Sequence, residues 1–590
     1  MPLFKLVLGN EYKDADSTTK TVTDAFVYPS DVDTQYRPTQ WSRTELWLEF
    51  KRAASFYGFK DDSPDEWVSQ TESSRDCRGQ LAGYAANTLN VQHRKHLFSL
   101  NLGPDGVRFF KWERTYTIVS RAFDLSTEGK CLVEFLYRFS TLTDGDRGKD
   151  ETVTPATEEE RSMAEPLLQS WIHPDEKDQR GFVKIRVPDG ASEREVIAGP
   201  AIAVPRNIPG RATLGLPVYD VKENGVRFLK DSWRDVNLPQ ESDILQTLNK
   251  KNVRNVPTFV CGGIIPGQIT TSHMYIKDTW NFGAHPPLTC IRKHQRTLTV
   301  EVGQPLKKFR SSKQLTRVVY EAFLAHEDAF TLCEILHRDV SGGNILIVYD
   351  KETPEDDHEG GGRGLLNDWD MAIRMADLDK PARQVERTGT WQFMSIGLLR
   401  NRNKKHEAQD DFESFIYVML HHGLRYMTHS AVGHGLRNII SSIFDIAIDV
   451  GNGQWVGALG KGALVHGSGP LPEDFHFACV PFTKWIEDAL EAINEWDIFS
   501  QSKRLSTKKH RSKPAMDFAT LVFCDHQPLK LMWQKMLGMD GWPRNDHAKY
   551  QLEPRGNKRP SEDSAQPAPK RRKSGRFTAA AASGNVATPA

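Results

Sequence analysis

The segment EILHRDVSGGNILIV, Glu334–Val348, constrains this chain more than any other. An apolar run leads into His337-Arg338-Asp339, four residues follow, and Asn344 opens a second apolar run. One tight loop can therefore present a carboxylate and a carboxamide together. That pair suits phosphoryl transfer. Asp339 would accept or orient the proton of an attacking hydroxyl, and Asn344 would hold a magnesium ion that bridges nucleotide phosphates.

Other segments extend this pattern. GLLNDWDMAI carries Asp368-Trp369-Asp370 just past an apolar run. Asp368 fits a carboxylate that chelates magnesium between phosphates, with Trp369 and Asp370 where Phe and Gly are usual. RTGTWQFMS, Arg387–Ser395, reads as the end of a platform for a peptide substrate. Asp411 of DDFESFIYVML enters an apolar helix and is placed to hydrogen-bond the main chain of the catalytic loop. Upstream, Lys230 lies on the strand-like run VRFLKDSWRD, and Glu241 begins the helix QESDILQTL. Such a Lys–Glu pair aims the ammonium at the α- and β-phosphates. No GxGxxG exists, and Gly210 and Gly215 of NIPGRATLG are the nearest phosphate-loop candidates. Val300-Glu301-Val302-Gly303 reads as a linker between lobes, which adds Glu301 to the cofactor-binding set. Arg338 is expected to meet a phosphate on the downstream segment. Thr388 is the expected acceptor, and Thr390 is better suited to contacting Asp339.

The segments GQLAGYAANTLNVQHR, FKWERTYTIVSRAFD, GRATLG, LKDSWRD, VEVGQPLKKF, HRDVSGGNIL, DWDMA, GTWQFMS and DDFESFIYVML resemble those of the fungal-type protein kinase family, in its order. The resemblance covers most of residues 45–540. It implies an α+β, bilobal protein-kinase-like fold with an N-terminal α+β extension. It also implies ATP and Mg2+ as cofactors and transfer to Ser or Thr hydroxyls of protein substrates. Two positions depart from ordinary kinases. Ser341 stands where a Lys usually follows the catalytic Asp by two residues. Ile396-Gly397 stands where a Glu usually anchors the substrate platform. These departures raise a pseudokinase scaffold as the alternative. A small-molecule kinase of the aminoglycoside or choline phosphotransferase type is the second alternative, because DWD resembles the Asp-Trp step of that group. GTWQFMS and the DDFES helix favour a protein substrate.

At 590 residues the chain exceeds one hydrophobic core. The expected organisation is a poorly ordered stretch over 1–40, a helix-and-hairpin extension over 41–185, a small lobe over 186–303, a large lobe over 304–542 and a disordered basic tail over 543–590. Within the extension, Leu46, Phe50, Ala53, Ala54 and Tyr57 recur at helical spacing and predict a helix. GQLAGYAANTLNVQHR predicts another. HLFSLNL and GVRFFKWERTYTIV predict a hairpin about Gly103–Gly106. Residues 142–165 read as a loop. Gln92-His93-Arg94 and Trp112-Glu113-Arg114 read as polar positions on a helix and on a hairpin face.

Basic and acidic residues balance at 77 each, which gives no argument for nucleic acid or membrane as a partner. No apolar stretch reaches the length of a membrane span. The seven cysteines are scattered, against a disulfide framework or zinc site. In the tail, Lys558-Arg559 and Lys570-Arg571-Arg572-Lys573 have the spacing of a bipartite nuclear import signal. They predict an import carrier as partner and a location in the nucleus, shared with the cytoplasm.

Overall fold

The computed structural model describes residues 3–552 apart from 10–22, 36–38, 53–57, 62–66, 105, 172–180, 206–207, 279–289, 350–360, 379–388, 402, 432, 452–454 and 507–516. Thr388 and both basic clusters of the tail lie outside the described residues. The fold is mixed α+β.

The N-terminal part is a six-stranded sheet in sequential order, β1 (Phe4–Leu8), β2 (Ala25–Pro29), β3 (Leu46–Phe50), β4 (His96–Gly103), β5 (Gly106–Glu113) and β6 (Thr117–Val119). Within the described part of the stretch expected to be poorly ordered, β1 and β2 pair in antiparallel register from Phe4↔Pro29 to Leu8↔Ala25. The helix expected from Leu46 is also corrected. LWLEF is strand β3, antiparallel to β2 and parallel to β4. The short segment satisfies either period, and pairing on both edges decides for the strand. Helix α1 (Glu72–Val91) forms where GQLAGYAANTLNV predicts it, and starts earlier because Thr71 caps it through Ser74 N–H. Its buried stripe, including Cys77, Leu81, Tyr84, Ala85 and Leu89, packs with Trp41, Trp47, Phe110 and Trp112. Helices α2 (Leu125–Glu128) and α3 (Lys130–Thr141) follow the hairpin. Phe135 and Phe139 of α3 cover Phe98 and Phe109 on the opposite sheet face.

A seven-stranded sheet follows. It holds β7 (Val153–Pro155), β8 (Val183–Asp189), β9 (Ser192–Ala198), β10 (Leu214–Asp220), β11 (Gly225–Asp235), β12 (Phe259–Ile269) and β13 (Arg292–Thr299), in the order β12-β13-β11-β10-β9-β8-β7. The stretch expected as a loop over 142–165 contains β7 and most of helix α4 (Glu158–Leu168), whose start Thr157 and Glu160 close as a capping box. β7 precedes the expected boundary at 185/186, which itself falls inside β8. Helix α5 (Glu241–Lys250) leaves β11 and turns Ile244, Leu245 and Leu248 into the core of the helical part.

That helical part begins with β14 (Gln304–Pro305) and α6 (Ser312–Cys333). The short strands β15 (Ile335–Leu336), β16 (Ile345–Val348), β17 (Arg363–Leu366) and β18 (Ile373–Arg374) carry the catalytic-loop segment. β15 pairs β18 and β16 pairs β17, so the two ladders flank the loop between Leu336 and Ile345. Helices α7 (Ile396–Arg400), α8 (Ala408–Tyr426), α9 (Gly433–Phe444), α10 (Leu459–Val465), α11 (Val480–Ser506) and α12 (His526–Leu537) complete it. Helix α8 is buried almost all round, as its apolar sequence requires. Among the described residues no helix is long and apolar enough to cross a membrane.

The two polar triplets of the extension are not solvated. Glu113 accepts from the Thr271 and Ser272 N–H groups at 2.9 and 2.8 Å, and Thr115 meets Thr270 at 3.0 Å. The Arg114 carbonyl accepts from Gly210 N–H at 2.9 Å. Arg94 pairs with Glu45 at 3.0 Å, and Gln92 donates to the Trp41 and Thr44 carbonyls. Glu113, Thr115 and the Arg114 carbonyl thus find partners on segments outside the extension, whereas Arg94 and Gln92 find theirs within it.

Candidate active site

The catalytic-loop segment is held from below. Asp411, near the start of α8 and fully buried, accepts Arg338 N–H at 3.1 Å, His326 Nε2 at 3.0 Å and His406 Nε2 at 2.8 Å. Burial works to raise the Asp411 carboxyl, but the two imidazoles outweigh it and hold the group well below the usual carboxylate range. Arg338 sits at φ 68°, so the main chain turns sharply just before Asp339. The expected phosphate partner of Arg338, Thr388, is outside the described residues.

Asp339 is 6% exposed. Its Oδ1 accepts both the N–H and the hydroxyl of Thr390, each at 2.8 Å. Burial and the nearby Asp368 raise its carboxyl to about 6, against the lowering effect of Arg211 and Thr390. Asn344 donates from its amide nitrogen to the Asp339 carbonyl at 2.8 Å, which leaves the amide oxygen as the donor for a hard cation. Asn367 N–H donates to the Asn344 carbonyl at 2.8 Å and ties the loop to the strand before Asp368.

Lys230 lies on β11 opposite Gly215 of β10. Its ammonium reaches Asp368 at 2.6 Å, Asp370 at 2.8 Å and Glu241 at 2.9 Å. Burial alone would lower this ammonium, and the three carboxylates lift it instead. Glu241, the first residue of α5, also accepts Trp369 N–H at 2.9 Å, so α5 and the Asp368-Trp369-Asp370 turn are locked together. Trp369 is buried edge-on against His337 at 4.7 Å between ring centroids. The Trp in place of Phe thus fills the space under the loop. Burial works to raise the Asp368 carboxyl, and Lys230 and Arg211 bring it far below its ordinary range. Carboxylate oxygens of Glu241, Asp368 and Asp370 gather within 4.8 Å of one another. This all-oxygen donor set fits a magnesium ion.

Arg211 was not among the residues expected from sequence. It stands between β9 and β10, and its guanidinium lies 3.4 Å from Asp368, 3.5 Å from Asp370 and 3.7 Å from Asp339. The signal was present in GRATLG, a single cation after a glycine and before a buried strand, but nothing local tied it to the catalytic loop.

Two expected cofactor positions also carry structural contacts of their own. Gly215 is a packing position: a Cβ there would meet Phe228 at 2.9 Å and Ala203 at 3.2 Å. The Glu301 carboxylate is occupied by Thr258 N–H and hydroxyl, each at 2.8 Å, and by Arg363 at 3.0 Å, so it braces the connection after β13. Gly210 does lie beside the site, next to Arg211.

The platform without its usual Glu is anchored by other groups. Ser395 donates to Asp410 at 2.6 Å, and Glu413 accepts Ile396 N–H at 2.9 Å. Lys461, fully buried, donates to the Met394 carbonyl at 2.6 Å and lies 4.2 Å from the Tyr417 ring centroid. Arg400 of α7 pairs with Asp497 of α11 at 2.7 and 2.8 Å. The platform therefore supplies the cation and the distant helix the anion.

A search of curated proteins finds no match. A family model described as fungal protein kinase matches residues 64–422, more than half of the chain. The match takes in the extension from α1 onward, the Lys230–Glu241 pair, the HRD loop, the Asp368 turn and the segment from Gly389 to α8, and the chain belongs to the fungal protein kinase family.

Proposed function

We propose that this chain is a Ser/Thr protein kinase that transfers the γ-phosphoryl group of ATP with magnesium, on a two-lobed arrangement of the seven-stranded sheet and the helical part. The observation that carries the reading is the joined set Lys230–Glu241, Lys230–Asp368 and Asp339–Thr390. Kinase chemistry requires the Lys–Glu pair and the Asp of the metal site in place together. Asn344 and Asp368 would hold magnesium, which when bound would neutralise charge at the phosphates. Lys230, fixed by Glu241, presents its ammonium to the α- and β-phosphates. Asp339 accepts the proton of the substrate hydroxyl as its oxygen attacks the γ-phosphorus. The bond from phosphorus to the bridging oxygen breaks, and its electron pair leaves with ADP. Thr390 keeps Asp339 turned toward the platform. The anchoring of Met394, Ser395 and Ile396 supports a peptide as the acceptor over a small molecule.

The test uses the purified full chain with Mg-ATP and a generic basic protein. Label is expected on Ser or Thr. Mg-ATP at about 100 times its dissociation constant is expected to add about 2.7 kcal/mol of folding stability. A stabilising shift without transfer would support the scaffold reading, and neither shift nor transfer would sink the kinase reading.

The basic clusters Lys558-Arg559 and Lys570–Lys573 further support import into the nucleus by a carrier. A fluorescent fusion lacking residues 555–576 is expected to move to the cytoplasm. An unchanged nuclear signal would remove this reading.

A further inference from the structure

Ser341 leaves the catalytic loop without the cation that usually follows the catalytic Asp. The only other cation of the ordinary set, Lys230, is committed to Glu241, Asp368 and Asp370. Arg211 reaches the place that Lys230 does not. Its guanidinium spans Asp368 and Asp370 on one side and Asp339 on the other. The transferring group passes between the proton acceptor and the metal-binding Asp, so this guanidinium stands at its path.

The main chain around Arg211 is built to present it. Gly210 has φ 126° and Ala212 has φ 47°, the latter in a region that residues with a side chain seldom adopt. Backbone strain of this kind persists where the surroundings over-determine it. Here they do. Gly210 N–H donates to the Arg114 carbonyl at 2.9 Å, and Trp233 N–H donates to the Arg211 carbonyl at 2.6 Å. The N-terminal extension and β11 thus grip the loop from both sides. The Arg211 side chain stays 33% exposed, which leaves it open to a ligand. Asp368 foremost, then Asp370 and Asp339, raise its already high pKa against the effect of burial, so it stays charged.

We infer that Arg211 is the cation that contacts the transferring γ-phosphoryl group, in the role that Ser341 leaves open. The inference rests on the kinase reading above and assigns the extension a task within it, through the Arg114–Gly210 bond. Arg211 takes no proton and forms no bond to phosphorus. Its planar fork donates to equatorial oxygens whose charge rearranges as the phosphoryl moves. A contact made in the transition state lowers the barrier without tightening nucleotide binding.

The test compares wild type with R211A, R211K and R211M. In the transfer assay with Mg-ATP, R211A is expected to lose at least ~10²-fold in kcat. Its KM for ATP is expected to stay within ~3-fold of wild type. R211K, a point charge without the fork, is expected to fall between. A second readout needs no turnover. Magnesium alone should raise the melting temperature of R211A or R211M more than that of wild type, because Asp368 and Asp370 then lose one of the two cations that compete with the metal. The assignment is overturned if kcat of R211A lies within ~3-fold of wild type, or if the loss falls wholly on the KM for ATP. An equal magnesium shift in all four chains would also overturn it. If wild type itself transfers no phosphate, the kinase reading falls first. If wild type transfers and R211A matches it, only the role of Arg211 falls.

Discussion

Asp339→Asn is expected to remove nearly all phosphoryl transfer while leaving the fold and nucleotide binding in place. Asparagine keeps the size and can still face Thr390, but it cannot accept the hydroxyl proton. A positioned acid or base contributes ~10²–10⁴-fold, so kcat should fall by that factor. Folding should change little, because the Asp339 carboxyl is itself disfavoured by burial. Its pKa is raised to about 6, chiefly by desolvation and then by Asp368. Losing that charge relieves repulsion from Asp368 and gives up the attraction of Arg211 at 3.7 Å. Mg-ATP should still shift the melting temperature, since Lys230 and Asp368 are untouched. A variant that transfers phosphate as fast as wild type would remove Asp339 from the mechanism.

The clustering of the candidate site was legible because its parts are short, contiguous motifs. HRD and Asn344 lie on one loop, and Asp368 follows the next strand of the same hairpin. Lys230 and Glu241 are readable because a strand followed by a helix carries the ion pair. What stayed hidden depends on pairing across distant segments. Strand β3 reads as a helix until β2 and β4 lie on either side of it. Glu113 and Arg114 look solvated until Thr271 and Gly210 are brought against them. Arg211 belongs to the site only because β10 and β11 carry its loop over the Asp368 turn. The missing platform Glu likewise looked like a loss, whereas Arg400–Asp497 and Lys461 reach the platform from α7, α10 and α11.

Arg296→Ala is expected to cost more stability than any surface change in the sheet, about 3–5 kcal/mol for a buried ion-pair network broken on one side. Arg296, on β13, is fully buried. Its guanidinium reaches Asp150 at 2.6 Å, Asp231 at 2.8 Å, Thr152 at 2.7 Å and the Arg186 carbonyl at 2.8 Å. Those partners join the segment before β7, strand β8 and strand β11, and Asp150 N–H continues the chain to the His93 carbonyl at 3.0 Å. One side chain therefore stitches the extension to the sheet that holds Lys230. Alanine leaves Asp150 and Asp231 buried, with the His294 imidazole 2.5 Å from Asp231 as a remaining partner. Burial would raise the Asp150 carboxyl, but Arg296 and then His294 bring it down to about 2. A depressed carboxyl contributes stability that is present above its unfolded pKa, near 3.8, and is lost as pH falls toward 2. The variant should lose most of that acid-dependent part, so the gap between wild type and variant narrows below pH ~4. Urea unfolding of both chains at neutral and acidic pH measures this directly. A loss below ~1 kcal/mol at neutral pH, the scale of an exposed pair, would show that the network does not hold the extension in place.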